Sequence, residues 1–169
     1  MEENVWMEEN GQYALDCRNA VWSFGRLHDE YAVIGNLLTD ADFLLEDEKF
    51  IYLVEYKNAN IPGTSNPGAF NPSVDRKIEN VSRKFYDSLH YLNILQKNKP
   101  KKYIYILEYP SGDSVSRRMV RNKLKRFLPF ELQKKGCQLI ESVEVLSIDE
   151  WNNDSNYRKY PLLRVADMK

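Results

Sequence analysis

The chain has 169 residues, 43% of them hydrophobic and 29% charged, which is an ordinary globular balance and not that of a disordered chain. That length suits one domain with a core of its own, so residues 1–169 are read as a single domain. No run approaches the roughly 20 apolar residues that span a bilayer. The acidic start MEENVWMEEN resembles neither a secretory signal nor a transit peptide, so a cytoplasmic protein is expected. The net charge of −1 hides an asymmetry: residues 1–60 hold 13 acids and 4 bases, whereas residues 61–169 hold 12 acids and 20 bases. A negative segment can ligate cations and a positive one can hold phosphates; mutual neutralisation of the two surfaces is the alternative. Cys17 and Cys137 lie far apart without CxxC spacing, and are read as reduced thiols rather than as a disulfide or metal site.

Along the chain, the first 38 residues are ambiguous. Tyr13, Cys17, Ala20, Phe24, Leu27 and Tyr31 fit a helix, yet Tyr13, Leu15 and Cys17 also alternate as in a strand, and Gly35-Asn36 suggests a hairpin turn. Residues 41–46 (ADFLLE) and 50–57 (FIYLVEYK) read as two strands joined by the turn Asp47-Glu48-Lys49. In the second, Ile51, Leu53, Glu55 and Lys57 share one face and Tyr52, Val54 and Tyr56 the other, the pattern of a strand covered on both sides. Residues 58–73, with three prolines, are a long loop of the kind that often carries function. A helix with Ser73 as N-cap then follows Val74, Ile78, Val81, Phe85, Leu89, Leu92 and Leu95 to about Gln96. Residues 102–109 form a third strand. A helix capped by Ser114 or Ser116 runs through Met119, Leu124 and Phe127 towards Pro129, and Gly136 is a fitting stop. Residues 138–148 read as a last strand, and the tail from Asn152 has no assignment.

The chemistry concentrates on the hairpin. Asp42 heads one strand and Glu55 closes the next, at nearly matching distances from the turn, so their carboxylates can converge on one cation. Hard cations such as Mg²⁺ accept oxygen ligands and keep several waters, so one or two carboxylates plus a substrate phosphate suffice. Lys57 points to the same side as Glu55, where an ammonium can orient a water and offset charge on a phosphate. The bland alternative is a solvated strand edge and a turn aspartate.

The run Thr39 to Ala59 (TDADFLLEDEKFIYLVEYKNA) resembles the signature of the PD-(D/E)xK nuclease superfamily, which includes type II restriction endonucleases and Holliday-junction resolvases. The matching residues are Asp42, the apolar Phe43-Leu44-Leu45, and Glu55-Tyr56-Lys57; Ala41-Asp42 stands for the family's proline-aspartate step. The resemblance implies an α/β fold with an αβββαβ core, a central mixed sheet flanked by helices, and Mg²⁺-dependent hydrolysis of nucleic acid. DNA is the family's usual substrate, Mn²⁺ is the expected substitute for Mg²⁺, and a homodimer is compatible with cleavage of both strands. Asp42 and Glu55 are implied as metal ligands and Lys57 as the activating amine. The family often adds an acid from its first helix; Glu8, Glu9 and Asp16 are the candidates and Glu9 is the choice. Asp40 is read on the same strand face as Asp42, where it can bind a second metal or, as the preferred reading, serve the hairpin or support the first site from behind its ligands. An inactive nucleic-acid-binding or interaction module on the same fold is the competing reading, and an unrelated α/β domain the third.

Basic residues cluster in Arg117 to Arg126, where Arg117, Arg121 and Lys125 at i, i+4 and i+8 would form one stripe away from Met119 and Leu124 and track a nucleic-acid backbone. Arg76, Lys77, Arg83 and Lys84 on the preceding helix have a weaker claim to phosphate. Phe70 is the aromatic considered for base stacking. His28 and His90 form no cluster and read as structural.

Overall fold

A computed structural model of the chain describes residues 3–60 and 65–168, so four positions of the expected 58–73 loop, 61–64, lie outside the described residues. The chain starts with strands β1 (Val5–Met7) and β2 (Tyr13–Asp16), paired antiparallel. Strand β3 (Trp22–Phe24), helix α1 (Leu27–Ala32) and strands β4 (Phe43–Glu46) and β5 (Ile51–Asn58) follow. Helix α2 (Asp75–Ile94) crosses to strand β6 (Lys101–Glu108), helix α3 (Ser114–Phe127) to strand β7 (Ser142–Leu146), and helix α4 (Ile148–Asn153) leads to strand β8 (Leu162–Arg164). The fold is mixed α/β: a five-stranded sheet in the order β3-β4-β5-β6-β7 and a three-stranded sheet in the order β1-β2-β8.

In the large sheet β3, β4 and β5 are antiparallel neighbours, and β5, β6 and β7 run parallel. The β4–β5 turn is built by Asp47, whose carboxylate accepts the backbone N–H groups of Lys49 and Phe50 and the Tyr52 hydroxyl. That turn sets a register in which Phe43 faces Val54 and Glu46 faces Ile51. The alternation read in β5 is realised. Ile51 and Leu53 enter a core with Ile78, Phe85, Leu92, Val120 and Leu124 of α2 and α3. Tyr52 and Val54 enter a second core with Leu15, Cys17, Trp151, Tyr157 and Leu162. Helices α2 and α3 thus cover one face, whereas the small sheet and the C-terminal aromatics cover the other.

The ambiguous N-terminus is a hairpin. The Glu8 carboxylate accepts the backbone N–H groups of Asn10, Gln12 and Tyr13, and Gly11 takes a φ of 69° that suits glycine. Asn10-Gly11 is a strong hairpin dipeptide. The Gly35-Asn36 step instead ends α1: the N–H groups of Gly35 and Asn36 return to the carbonyls of Ala32 and Tyr31. A strand pair therefore occupies the place where the resemblance implies a first helix, and α1 falls between β3 and β4.

The α2 cap also differs from expectation. Val74 is the N-cap without a side-chain hydrogen bond, while Asp75 supplies the favourable charge in the first turn. In α3 the cap is Asp113, in a capping box with Ser116. Cys17 is buried and Cys137 exposed, both as free thiols. No helix among the described residues is long and apolar enough to cross a membrane.

Candidate functional site

Continuing the β4–β5 register by one pair places Asp42 opposite Glu55, on the α2 face of the sheet. Asp42 leads directly into β4, and its Oδ2 accepts the Tyr56 backbone N–H at 2.7 Å, which ties the carboxylate across the hairpin. Glu55 is only 6% exposed. Its Oε1 lies 2.5 Å from Lys84 Nζ, and its Oε2 is buried without a hydrogen-bond partner. A buried carboxylate oxygen left bare is costly unless something else satisfies it.

Helix α2 positions the site twice over. Lys84 projects from the same flank as Asp87 and Ser88, three and four residues on. Asp87 Oδ2 accepts the N–H and hydroxyl of Thr39 at 2.9 and 2.8 Å, and Ser88 Oγ accepts the N–H of Ala41 at 2.9 Å. The strap that delivers Asp40 and Asp42 is therefore stapled to the helix that delivers Lys84. The Tyr31 hydroxyl donates to the Asp87 carbonyl, which adds α1 to the same anchor.

A cavity of about 340 Å³ opens beside this cluster, lined by Glu9, His28, Asp40, Asp42 and Lys84 among others. His28 Nδ1 lies 3.2 Å from Asp40 Oδ1 at its rim. Acids outnumber bases there, and the ionisation equilibria respond. Burial pushes the Asp42 carboxyl up to about 6; Lys84 and the Tyr56 N–H oppose the rise, and Asp40 and Glu9 add to it. Burial, then the charge of Asp42, pushes Glu55 well above the usual carboxylate range. For Lys84 burial works against the charge, but Glu55 and Asp42 outweigh it and hold the ammonium above its ordinary value.

Of the residues expected from sequence, Asp42 and Glu55 come opposite one another across the hairpin, and Asp42 and Glu9 line the cavity, whereas Glu55 is buried behind it and is not among the lining residues. Glu8 and Asp16 have other roles: Glu8 organises the β1–β2 turn, and Asp16 pairs with Arg18 at 2.6 Å. Asp40 borders the cavity from the strap before β4 rather than from a strand. Lys57 is exposed near the end of β5 and is not among the residues lining the cavity. The amine that reaches the carboxylates is Lys84, 29 positions from Glu55. Its signal was present in the sequence: it follows Val81 by three, on the flank of the apolar stripe of α2.

The expected basic stripe on α3 is rotated. Arg117 is buried on the face shared with Val120 and Leu124, with Nε 3.4 Å from Glu150 Oε2. Met119, taken as a core position, is 58% exposed. Lys125 is exposed and lies over the Phe130 ring, and Arg121 is half-buried. Phe70 packs against the α2–α3 core, edge-on to Tyr109 and beneath the Lys77 ammonium at 4.1 Å.

Comparisons with protein-family models, with curated proteins and with solved structures gave no match. The donor set is the remaining guide to chemistry. Among the described residues no three His, Cys, Asp or Glu side chains converge into a ready-made metal cage. Two carboxylates, one with a bare buried oxygen, nevertheless fit a hard cation that takes its other ligands from water and phosphate.

Proposed function

We propose that this chain is a divalent-metal-dependent nuclease with a PD-(D/E)xK-type centre, hydrolysing nucleic-acid phosphodiester bonds, with DNA the first substrate to test. The observation that carries this reading is the bare, buried Oε2 of Glu55 in the strand register opposite Asp42. A buried acid pair in a fold of marginal stability is expensive, and a cation shared between the two would remove the cost. The order β3-α1-β4-β5-α2-β6, antiparallel then parallel, resembles the βββαβ part of the restriction-endonuclease-like core, with α1 interposed between its first two strands.

In this reading Asp42 and Glu55 hold the cation, Mg²⁺ or Mn²⁺, with Glu9 and Asp40 adding negative charge around the cavity. Such a cation, when bound, polarises a phosphoryl oxygen and lowers the pKa of water. The Tyr56 N–H keeps Asp42 aimed across the hairpin, and the buried wall of Tyr103 and Tyr105 on β6 keeps bulk water from Glu55. The excess of bases in residues 61–169 supplies phosphate contacts outside the acidic cavity.

Hydrolysis of end-labelled DNA and RNA with Mg²⁺ and with EDTA, by wild type, Asp42→Asn and Glu55→Gln, tests this. Cleavage that needs Mg²⁺ and both carboxylates supports it; cleavage indifferent to all three sinks it. One observation favours a second reading, an inactive nucleic-acid-binding or interaction module on the same fold: Lys84 already neutralises Glu55 without any cation. That reading predicts nucleic-acid binding with no turnover in any divalent metal.

A further inference from the structure

We propose that Lys84, carried by α2 and not part of the E-x-K run, is the catalytic amine of this site, its ammonium facing the scissile phosphate while Lys57 stays outside the chemistry. The inference rests on the nuclease reading above and names a residue that reading does not require.

Three placements support it. Lys84 Nζ lies 2.5 Å from Glu55 Oε1, so it is held at the ligating carboxylate while Oε2 stays bare. It lines the cavity with Asp42, and an ammonium has three donors, only one of which is taken by Glu55 Oε1. Its backbone is rigidly tied to the strap before β4 through Asp87 and Ser88, so amine and carboxylates are fixed relative to one another before any substrate arrives. Lys57 has the opposite circumstances. An exposed lysine must be ordered from a flexible stem, and its charge acts through water, where an ion pair is worth little. A half-buried ammonium acts at lower effective dielectric and needs no reorganisation.

In the step itself the water oxygen forms the new P–O bond and the ester P–O bond breaks. The water proton is lost to solvent and the leaving alkoxide takes one from solvent. Lys84 keeps its protons throughout and offsets the negative charge that builds on the non-bridging oxygens.

The test compares Lys84→Met, Lys84→Arg, Lys57→Met and Glu55→Gln with wild type. Mg²⁺-dependent hydrolysis of labelled DNA is measured alongside Mn²⁺ binding by electron paramagnetic resonance, with circular dichroism as the check on folding. Lys84→Met is expected to keep Mn²⁺ binding, since it removes a like charge, while kcat falls by about a hundredfold or more at little-changed KM. Lys84→Arg recovers part of that loss, Lys57→Met loses far less, and Glu55→Gln loses the metal. Wild-type activity retained in Lys84→Met overturns the assignment and leaves the nuclease reading intact. So does a Lys84→Met protein that no longer binds Mn²⁺, because the amine would then only hold Glu55, and so does an equal loss in Lys57→Met. Absence of hydrolysis by wild type loaded with Mn²⁺ removes the nuclease reading and the assignment together.

Discussion

Asp42 and Tyr56 are joined across the β4–β5 hairpin by a 2.7 Å hydrogen bond from the Tyr56 N–H to Asp42 Oδ2. The bond uses one carboxylate oxygen for structure and leaves the other for the cavity. It also holds Asp42 on the sheet face where Glu55 lies buried, although burial and neighbouring acids disfavour the charge. Electrostatic cost concentrated at one place in a fold is a recurring feature of functional sites.

Replacing that cost with a neutral amide separates stability from function. Asp42→Asn keeps the side-chain volume and an acceptor for the Tyr56 N–H, so thermal unfolding without metal should be unchanged or shifted upwards. Mg²⁺-dependent hydrolysis should fall on the order of a hundredfold or more. A variant both less stable and fully active would contradict the placement of Asp42 at the reacting centre.

The raised Asp42 carboxyl makes a signed prediction for pH. Its folded value of about 6 lies above the 3.8 of an ordinary aspartate, so between those limits the native state holds a proton that the unfolded chain has lost. Stability is therefore greatest below about 4, falls as pH rises to about 6, and levels off above, by at most roughly 2 to 3 kcal/mol from this group. Urea titrations of metal-free protein at several pH values should show a fall in wild type that is reduced in Asp42→Asn by the Asp42 share, the part due to the raised Glu55 carboxyl remaining. Mn²⁺ binding should strengthen over the same range as the carboxyl ionises.

The α2 staple should be measurable by itself. Asp87→Ala removes the acceptor of the Thr39 N–H and hydroxyl, at a cost of about 1 to 3 kcal/mol. Hydrogen exchange should show the strap before β4 opening more readily, with Glu46 and its lysine partners at the far end of the strand unaffected.

Phosphate contact by α3, if it occurs, should exclude Arg117. The double change Arg121→Gln, Lys125→Gln is expected to weaken duplex DNA binding uniformly across sequences and to flatten the salt dependence by roughly 2 in log–log slope. Arg117→Met should leave binding unaltered and shift stability by no more than about 1 kcal/mol, because Glu150 remains hydrogen-bonded to the Ser147 N–H. Fluorescence anisotropy over a series of salt concentrations distinguishes the two.

Much of the sheet was legible because its cues are local. The Asp47 turn, the alternation of β5 and the apolar run of β6 are each contained within a few residues, and the Asp42–Glu55 juxtaposition follows from the first two. The N-terminal hairpin was equally local, but the strand alternation of Tyr13, Leu15 and Cys17 stood level with a helical spacing of residues that belong to different elements. The tail failed for another reason: α4 and β8 are short, and their stability comes from Trp151 stacking on Tyr157 at 4.6 Å and from packing under the large sheet.

From its sequence alone this protein was determined to be an α/β chain with two acids brought together by one hairpin, because strand alternation and turn chemistry act between near neighbours. Only the tertiary structure decided which amine meets them and which arginine does not face solvent. Lys84 reaches Glu55 because α2 packs its Ile78–Phe85–Leu92 face on the sheet, and Arg117 is buried because α3 turns Val120 and Leu124 inward instead of Met119. A helix's rotation about its axis is set by the surface it packs against, and that surface is assembled from residues distant in the chain.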